Sequence, residues 1–400
     1  MTNNPPARLL DLTRLVRRAG RVLTGVDRVE MAYLRRLVAD DVPAFGLVRT
    51  SLGYVLFDRA GMGALAQRLD GSVSWSTPDL RSRLARGQTA VQRAAQTDVR
   101  KLAIARTLPR GLGAMLRRHL PQGTTYLNTG HSNLTDRVLQ AAQGLGGRIG
   151  VFVHDVIPLE YPQFQRPETV EPFRAKMRRV QACADVIICN SADTLDRAGR
   201  LMAQWGPVPE GIVAHLGTDL SIPQPDLLPD DLPPAGPYFV SVGTIEPRKN
   251  HALLLDVWDA MGAEAPTLVI CGARGWNNAA VFARLDSRTD TRVIERAGLS
   301  DGAVAALLAG SCGLLFPSFA EGYGLPPVEA AALGVPVVAN DLPVIREILG
   351  NIPVYVPADD RYLWEKTIKD MAEAGSQGRE KSQFQAPGWS QHFNTVLRSL

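Results

Sequence analysis

The sequence predicts an α/β protein built from two doubly wound parallel-sheet domains. Short apolar runs typical of buried strands recur along the 400 residues, and most are followed by a glycine-containing loop and a stretch of helical period. One segment rich in proline and short acids, Ser221 to Pro237, interrupts this pattern. A chain of this length and ordinary apolar content can bury more than one core. We therefore predict an N-terminal domain over residues 1–225, a linker over 226–237, a C-terminal domain over 238–385 and a final helix over 386–400.

Strand-loop-helix units account for the N-terminal half. ARLLDLTRLV, Ala7 to Val16, is expected to form the first strand, and the helical period of VDRVEMAYLRRLV begins after Thr24 and Gly25. Residues 43–58 have the composition of two strands joined by a short turn. The helix start at Thr24 and Gly25 is thus predicted to be open to a phosphate or a sugar.

The C-terminal half repeats the pattern more regularly. The strand-like runs YFVSVG, APTLVIC, RVIER, CGLLFP and PVVAND alternate with helical stretches, which predicts a parallel sheet. After CGLLFP comes EGYGLPPVEAAALG, in which the glycines suit a loop and the two prolines suit the first turn of a helix. Free amides and the positive end of the helix dipole make such a loop an anion site. Glu321 stands at the loop entrance, and Glu329 is predicted in the first helical turn.

These residues also admit a purely structural interpretation. Glutamate in a first helical turn is favoured by the dipole alone, and glycine loops occur in every doubly wound domain. His154 and Asp155 follow the buried run IGVFV and would project into a cleft at the sheet edge. A lone histidine at such a position is more often structural than catalytic.

Charge is distributed unevenly between the two halves. Residues 1–200 hold 30 Lys and Arg against 17 Asp and Glu, whereas residues 201–400 hold 14 against 23. The excess is greatest from Arg81 to Pro121, where Asp98 is the only acid and where we expect two helices separated near Pro109. Such a segment is either a solvated basic face or a surface for anionic membrane. Nucleic-acid binding is disfavoured because no recognition module or interleaved aromatic residues accompany the charge.

The sequence shows no sign of export, membrane insertion or metal binding. MTNNPPARLL lacks the apolar core of a signal peptide, and the uncharged run of residues 302–320 is broken by glycine and proline. The four cysteines lack the spacing of a metal site or a disulfide framework, and no Asp-x-Asp occurs. We expect a cytoplasmic protein, with peripheral contact at the inner face of the plasma membrane as an option, and neither a metal nor a cofactor.

Several motifs resemble family 4 retaining glycosyltransferases of the bacterial polysaccharide type. FPSFAEGYGLPPVEAAALGVPVVA is similar to their signature, whose two glutamates stand eight residues apart, as Glu321 and Glu329 do. VHDVIPLEYP resembles their His-Asp-x-x-Pro segment, and TGVDRVE their TG-x-x-R segment. GTIEPRKN matches the polysaccharide enzymes, although many other relatives carry an arginine where Thr244 stands. The resemblance implies the GT-B architecture: two Rossmann-like lobes face each other across a cleft, and the last helix crosses back to the first lobe.

The resemblance also implies residue roles. Glu329 would bind the ribose, Glu321 the hydroxyls of the donor sugar, and Arg248 and Lys249 the diphosphate, while His154 would lie beside the transferred sugar. The catalytic candidates are therefore His154, Arg248, Lys249 and Glu321. The donor-binding candidates are Gly243, Thr244, Gly322, Tyr323, Gly324, Leu325 and Glu329. The candidates for an acceptor or phosphate loop are Thr24, Gly25 and Asp155.

The implied reaction moves a sugar from a nucleoside diphosphate sugar, with GDP-mannose and UDP-sugars as candidate donors. The acceptor would be a glycan or a polyprenyl-linked sugar, and the anomeric configuration would be retained. Two alternatives stay open. A non-catalytic nucleotide-sugar-binding subunit would keep Glu329 and Arg248 without turnover. A nicotinamide-dependent oxidoreductase would need G-x-G-x-x-G after a strand, but GLGGRIG precedes its strand.

Overall fold

Two β-sheets packed with helices form two lobes in the computed structural model, which describes residues 4–83, 87–375 and 384–400. The strands of the N-terminal lobe are β1 (Arg8–Asp11), β2 (Ala44–Arg49), β3 (Tyr54–Phe57), β4 (Ala105–Thr107), β5 (Thr124–Asn128), β6 (Gly146–Val153), β7 (Val186–Cys189) and β8 (Glu210–Val213). Those of the C-terminal lobe are β9 (Tyr238–Val242), β10 (Thr267–Cys271), β11 (Val293–Arg296), β12 (Gly313–Phe316), β13 (Val337–Ala339) and β14 (Val354–Tyr355).

Helices follow most of the strands. In the N-terminal lobe they are α1 (Thr13–Arg17), α2 (Gly25–Ala39), α3 (Arg59–Leu69), α4 (Leu80–Arg83), α5 (Ala90–Leu102), α6 (Leu112–His119), α7 (Asp136–Gln143), α8 (Ile157–Glu160), α9 (Pro167–Cys183) and α10 (Ala192–Ala203). After β9 come α11 (His251–Met261), α12 (Ala279–Ser287), α13 (Asp301–Gly310), α14 (Leu325–Ala332), α15 (Pro343–Leu349), α16 (Arg361–Ala374) and α17 (Trp389–Arg398).

The sheet topology confirms the predicted fold class of two doubly wound α/β domains. The N-terminal sheet has the order β4-β3-β2-β1-β5-β6-β7-β8, and only β3 runs antiparallel to its neighbours. The C-terminal sheet, β11-β10-β9-β12-β13-β14, is entirely parallel. Because β9 and β12 are neighbours, the loops that follow them meet at one edge of the sheet. The ends of β1, β5 and β6 are likewise adjacent in the other lobe.

The first strand is shorter than predicted. It ends at Asp11, and the apolar residues Leu15 and Val16 are buried on helix α1 instead. The Asp11 carboxylate accepts a hydrogen bond from the Thr13 amide at 2.9 Å, which fixes the turn into the helix. A run of mixed apolar residues cannot distinguish one long strand from a short strand followed by a buried helix.

The basic segment after Arg81 contains the two expected helices, α5 and α6, but also the edge strand β4, which was not predicted. Residues 84–86 of that segment lie outside the described residues. The two strands expected within residues 43–58 are confirmed as β2 and β3. Where each domain begins and ends along the chain stays a prediction.

Helix α17 packs on the N-terminal lobe although it follows the C-terminal lobe in sequence. The ring of Phe393 meets that of Tyr33 at 5.0 Å between centroids, and the Tyr33 hydroxyl lies 2.9 Å from Nε2 of His392. The Thr125 hydroxyl donates to the carbonyl of Leu400. This segment therefore ties the two lobes together.

A second tie runs from α15 of the C-terminal lobe to the start of α10. The Glu347 carboxylate accepts the backbone amides of Ala192 at 2.7 Å and Asp193 at 3.1 Å. His215 Nε2 lies 2.8 Å from the same carboxylate. A side chain of one lobe thus caps a helix of the other lobe.

The remaining sequence expectations concern metal, thiol and membrane features. Cys189, Cys271 and Cys312 are buried, and Cys183 is partly buried. Across residues 4–83, 87–375 and 384–400, we find no group of three or more side chains placed to hold a metal ion. In the same part of the chain, no helix is both long and apolar enough to cross a bilayer.

Candidate active site

The loop between β12 and α14 lies at the carboxyl edge of the C-terminal sheet. Gly324 adopts φ +94°, which lets the helix begin at Leu325 with Pro326 and Pro327 in its first turn. Because the helix begins this early, Glu329 is its fifth residue. It therefore lies in the second turn, not in the first turn that the sequence predicted.

Glu321, at the entrance of this loop, is paired with both predicted diphosphate cations. Lys249 Nζ lies 2.6 Å from Oε1 of Glu321, and Arg248 Nη1 lies 2.7 Å from Oε2. Burial alone would raise the pKa of Glu321, but the two cations outweigh it and lower that pKa to about 2. The group is therefore a carboxylate throughout the physiological range.

A second carboxylate, Glu246, completes this buried charge cluster. Arg248 also donates to Oε1 of Glu246 at 2.6 Å and to the carbonyl of Ala320 at 2.7 Å. Burial lowers the pKa of Lys249, and Glu321 opposes that shift. Two cations are thus balanced by two carboxylates, Glu246 and Glu321. The sequence motif EPRKN did not reveal this balance, although an acid two residues before an arginine was a usable signal.

His154 lies at the end of β6 on the opposite side of the cleft. Its Nε2 is 2.6 Å from the carbonyl oxygen of Thr129, which can only accept, so Nε2 carries the proton and Nδ1 the lone pair. Burial lowers the pKa of His154 to about 4. The imidazole is therefore neutral at pH 7 and can accept a hydrogen bond from a hydroxyl group at Nδ1.

Gly322 brings the two halves of the site together. A Cβ at this position would lie 2.4 Å from the carbonyl oxygen of His154 and 3.0 Å from Cβ of Asp155, so only glycine permits the approach. Asn190 holds the same His154 carbonyl at 3.0 Å. Burial raises the pKa of Asp155, whereas the nearby Arg248 lowers it.

Glu329 and the segment after Thr24 meet at a cavity of about 250 Å³ between the lobes, lined among others by Gly25, Leu325 and Glu329. A Cβ on Gly25 would lie 3.4 Å from the Leu325 side chain. Arg28 Nη1 donates to Oε1 of Glu329 at 2.7 Å. The structure thus joins two motifs that lie about three hundred residues apart in the sequence.

The remaining predicted site residues make contacts within the protein. The Thr24 amide and hydroxyl both donate to Asp27, at 2.8 and 2.7 Å, so part of the helix start is already occupied. The Tyr323 ring is buried, and its hydroxyl donates to the carbonyl of Leu216, away from the loop between β12 and α14, which we call the donor loop after its predicted role. Gly243 has φ +144° and lies against Lys249, whereas Thr244 is exposed beside it.

The arrangement can bind an anion at the donor loop and place a hydrogen-bond acceptor opposite it. The cations, the loop amides and the helix α14 terminus suit a diphosphate. His154 Nδ1 suits a sugar hydroxyl. Sequence reasoning gave Arg28 no role, because its contact with Glu329 depends on how the lobes meet.

Known proteins that are similar to this chain are glycosyltransferases. The family model described as Glycosyl transferases group 1 matches residues 236–374. The serotype-specific mannosyltransferase WbdA of Escherichia coli is 33% identical over 268 residues, which are 62% of this chain and 33% of WbdA. The O-antigen chain mannosyltransferase RfbU of Salmonella typhimurium is 30% identical over 139 residues, which are 34% of this chain and 38% of RfbU. The chain therefore spans less than half the length of these curated relatives.

The fold has counterparts among solved structures. Anabaena HepE, solved in complex with UDP and glucose, superposes with a TM-score of 0.61 at 15% identity and covers 98% of this chain and 97% of its own. At that identity the likeness establishes the fold, which is GT-B. Taken with the family match and the mannosyltransferase relatives, it confirms that the chain resembles family 4 bacterial glycosyltransferases, as its motifs indicated.

Proposed function

We propose that this chain transfers a sugar from a nucleoside diphosphate sugar to a glycan or lipid-linked acceptor in polysaccharide synthesis, with retention of configuration. The observation that carries the proposal is the contact of Glu321 with Arg248 and Lys249 beside the anion-binding loop, across the cleft from His154. Mannose from GDP-mannose is the first donor to test, because WbdA and RfbU are named as mannosyltransferases. UDP-sugars are the second, since HepE was solved with UDP and glucose.

The leaving group dominates the chemistry that this site would perform. The bond from the anomeric carbon to the diphosphate oxygen breaks, and the acceptor oxygen bonds to the same face of the sugar. The acceptor proton passes to the departing phosphate oxygen. Negative charge therefore grows on the phosphate, where Arg248, Lys249 and the loop amides can stabilise it.

Glu321 is better suited to orient the donor sugar than to attack it. Both of its oxygens bind cations, and its low pKa marks a stable, weakly nucleophilic carboxylate. We therefore favour a front-face reaction over a covalent glycosyl-enzyme. His154 Nδ1 would accept a hydrogen bond from a hydroxyl of the transferred sugar.

Thermal shift against UDP-, GDP-, ADP- and dTDP-sugars tests the donor, because a ligand of the native state raises its apparent stability. Transfer to a mannan or lipid-linked acceptor is then followed by proton NMR of the anomeric signal. Retention should give a product with the anomeric configuration of the donor. Binding without any transfer would favour the non-catalytic subunit, and inversion would exclude the front-face reaction.

Divalent metal should not be required for transfer. The cations and the loop amides can neutralise the diphosphate, and no Asp-x-Asp occurs in the chain. We expect the initial rate in excess EDTA to equal the rate in buffer within twofold. Loss of activity in EDTA that magnesium or manganese restores would show that this account of the leaving group is wrong.

We also propose that the N-terminal lobe contacts an anionic membrane through its β4 edge. Leu108 and Leu52 are 70% and 53% exposed, and they are neighbours because Gly53 packs against Thr107 and Leu108. Exposed basic residues flank this apolar edge: Arg106, Arg110, Arg117 and Arg118. Apolar side chains ringed by arginine are typical of surfaces that lie on anionic lipid.

Vesicle binding tests this surface. Binding to vesicles with 30 mol% phosphatidylserine should fall steeply from low to physiological salt, because the contact is screened. The double variant Arg106→Glu/Arg110→Glu should lose most of this binding. Arg200→Glu is the matched control, since Arg200 is exposed on α10, which packs at the opposite edge of the sheet. Equal binding to neutral and anionic vesicles, or no binding to either, would show that this segment is a solvated basic face.

A further inference from the structure

The contact between Arg28 and Glu329 carries an inference that rests on the proposed nucleotide site. Arg28 belongs to α2 of the N-terminal lobe, whereas both of its ion-pair partners belong to the C-terminal lobe. Nη1 donates to Oε1 of Glu329 at 2.7 Å, and Nη2 donates to Oδ1 of Asp301 at 2.6 Å. The guanidinium therefore bridges α14 and the start of α13 from the opposite side of the cleft.

This bridge leaves half of Glu329 free for a ligand. The hydrogen bond from Arg28 goes to Oε1, and no other residue that the structure describes donates a hydrogen bond to Oε2. Glu329 also lines the interlobe cavity. A ribose diol could therefore donate to Oε2 while Arg28 keeps Oε1, so the arginine need not leave when a nucleotide binds.

The bridge also acts on the protonation of Glu329. Burial raises the pKa of Glu329, and the Arg28 charge opposes that shift. A carboxylate accepts hydrogen bonds from both ribose hydroxyls, whereas a carboxylic acid would use one oxygen as a donor. Arg28 thus favours the ionised form and, through its fixed fork, one orientation.

We propose that Arg28 is a positioning residue through which the N-terminal lobe completes the ribose site of the C-terminal lobe. The site then reaches full affinity only when the lobes are closed. By linkage, a bound nucleoside diphosphate favours closure as much as closure favours the nucleotide. Donor binding would in this way bring His154 up to the donor loop.

Calorimetric titration with GDP, UDP, ADP and dTDP tests the proposal on four proteins: wild type, Arg28→Gln, Glu329→Gln and the double variant. For the nucleotide that binds the wild type, Arg28→Gln should weaken affinity about tenfold, the scale of one charge-assisted hydrogen bond. In the Glu329→Gln background, the same change should have less than a twofold effect, because Arg28 acts through Glu329. Arg36→Gln, on the same helix but paired with Asp40 of its own lobe, should bind as the wild type does.

Two outcomes would overturn the inference and leave the proposed function standing. Unchanged affinity in Arg28→Gln would show that the bridge does not serve the nucleotide. An equal loss in both backgrounds would show that Arg28 meets the nucleotide directly. A wild type that binds none of GDP, UDP, ADP and dTDP would instead overturn the proposed function, and the inference with it. Cooperative unfolding of each variant, followed by circular dichroism, distinguishes a lost contact from a lost fold.

Discussion

Replacing Lys249 with alanine is expected to lower kcat by on the order of a hundredfold, with a much smaller change in the donor KM. Lys249 Nζ lies within a buried charge cluster. Water has little access there, so it cannot replace the lost positive charge when the side chain is removed. Charge on the departing diphosphate grows as the glycosidic bond breaks. A cation at this position therefore stabilises the transition state more than it stabilises the bound donor.

Steady-state kinetics with the donor found by thermal shift would measure the effects on kcat and on the donor KM separately. Lys366→Ala is a matched control, because Lys366 is an exposed lysine of the same lobe that pairs with Asp370 on its own helix. Lys249→Arg should recover part of the rate, since it restores charge without the same geometry. A Lys249→Ala enzyme with normal kcat and only a raised KM would refute the assigned role.

Replacing Glu321 with alanine should both stop transfer and destabilise the protein. The change leaves Lys249 without an acidic ion-pair partner among the described residues and removes one of two such partners from Arg248. Breaking a buried pair in this way costs about 3 kcal/mol of unfolding free energy. Affinity for GDP alone should be preserved or increased, because the two cations no longer compete for an internal carboxylate.

Urea unfolding and calorimetry of the Glu321→Ala variant check these results. The pKa of Glu321 is about 2, below its ordinary value of 4.5, so its stabilising effect is full above pH 4.5 and is lost as the pH falls towards 2. The stability difference from the wild type should narrow over that interval. Exposed Glu171, replaced by alanine, is the control. A marked loss of GDP affinity in Glu321→Ala would mean that this glutamate binds the nucleotide itself.

Local patterns in the sequence were sufficient to predict the loop between β12 and α14. Strand, glycine loop and proline-started helix are specified by neighbouring residues, so the backbone geometry around Gly324 follows from the local sequence alone. The eight-residue spacing of Glu321 and Glu329 then indicated the family that the chain resembles. The turn in which Glu329 lies was missed by one residue, because Gly324 allows the helix to begin at Leu325, one residue before the prolines.

Contacts between the lobes could not be inferred in the same way. The bridge from Arg28, the approach of Gly322 to His154 and the orientation of Tyr323 all depend on how two separately folded sheets face each other. Nothing in the residues around Tyr323 indicates that its hydroxyl binds a carbonyl of the other lobe. Tertiary geometry of this kind has no local sequence period to reveal it.

The contacts of Glu347 allow the opening of the cleft to be measured. Its carboxylate caps the first two amides of α10 from the other lobe, so any separation of the lobes at this point leaves the amides of Ala192 and Asp193 without this hydrogen-bond acceptor. Amide hydrogens exchange with deuterium only when such protection is lost. Their exchange rates would thus count opening events in the unlabelled, unmodified enzyme, and a bound donor that holds the lobes together would slow both amides in step.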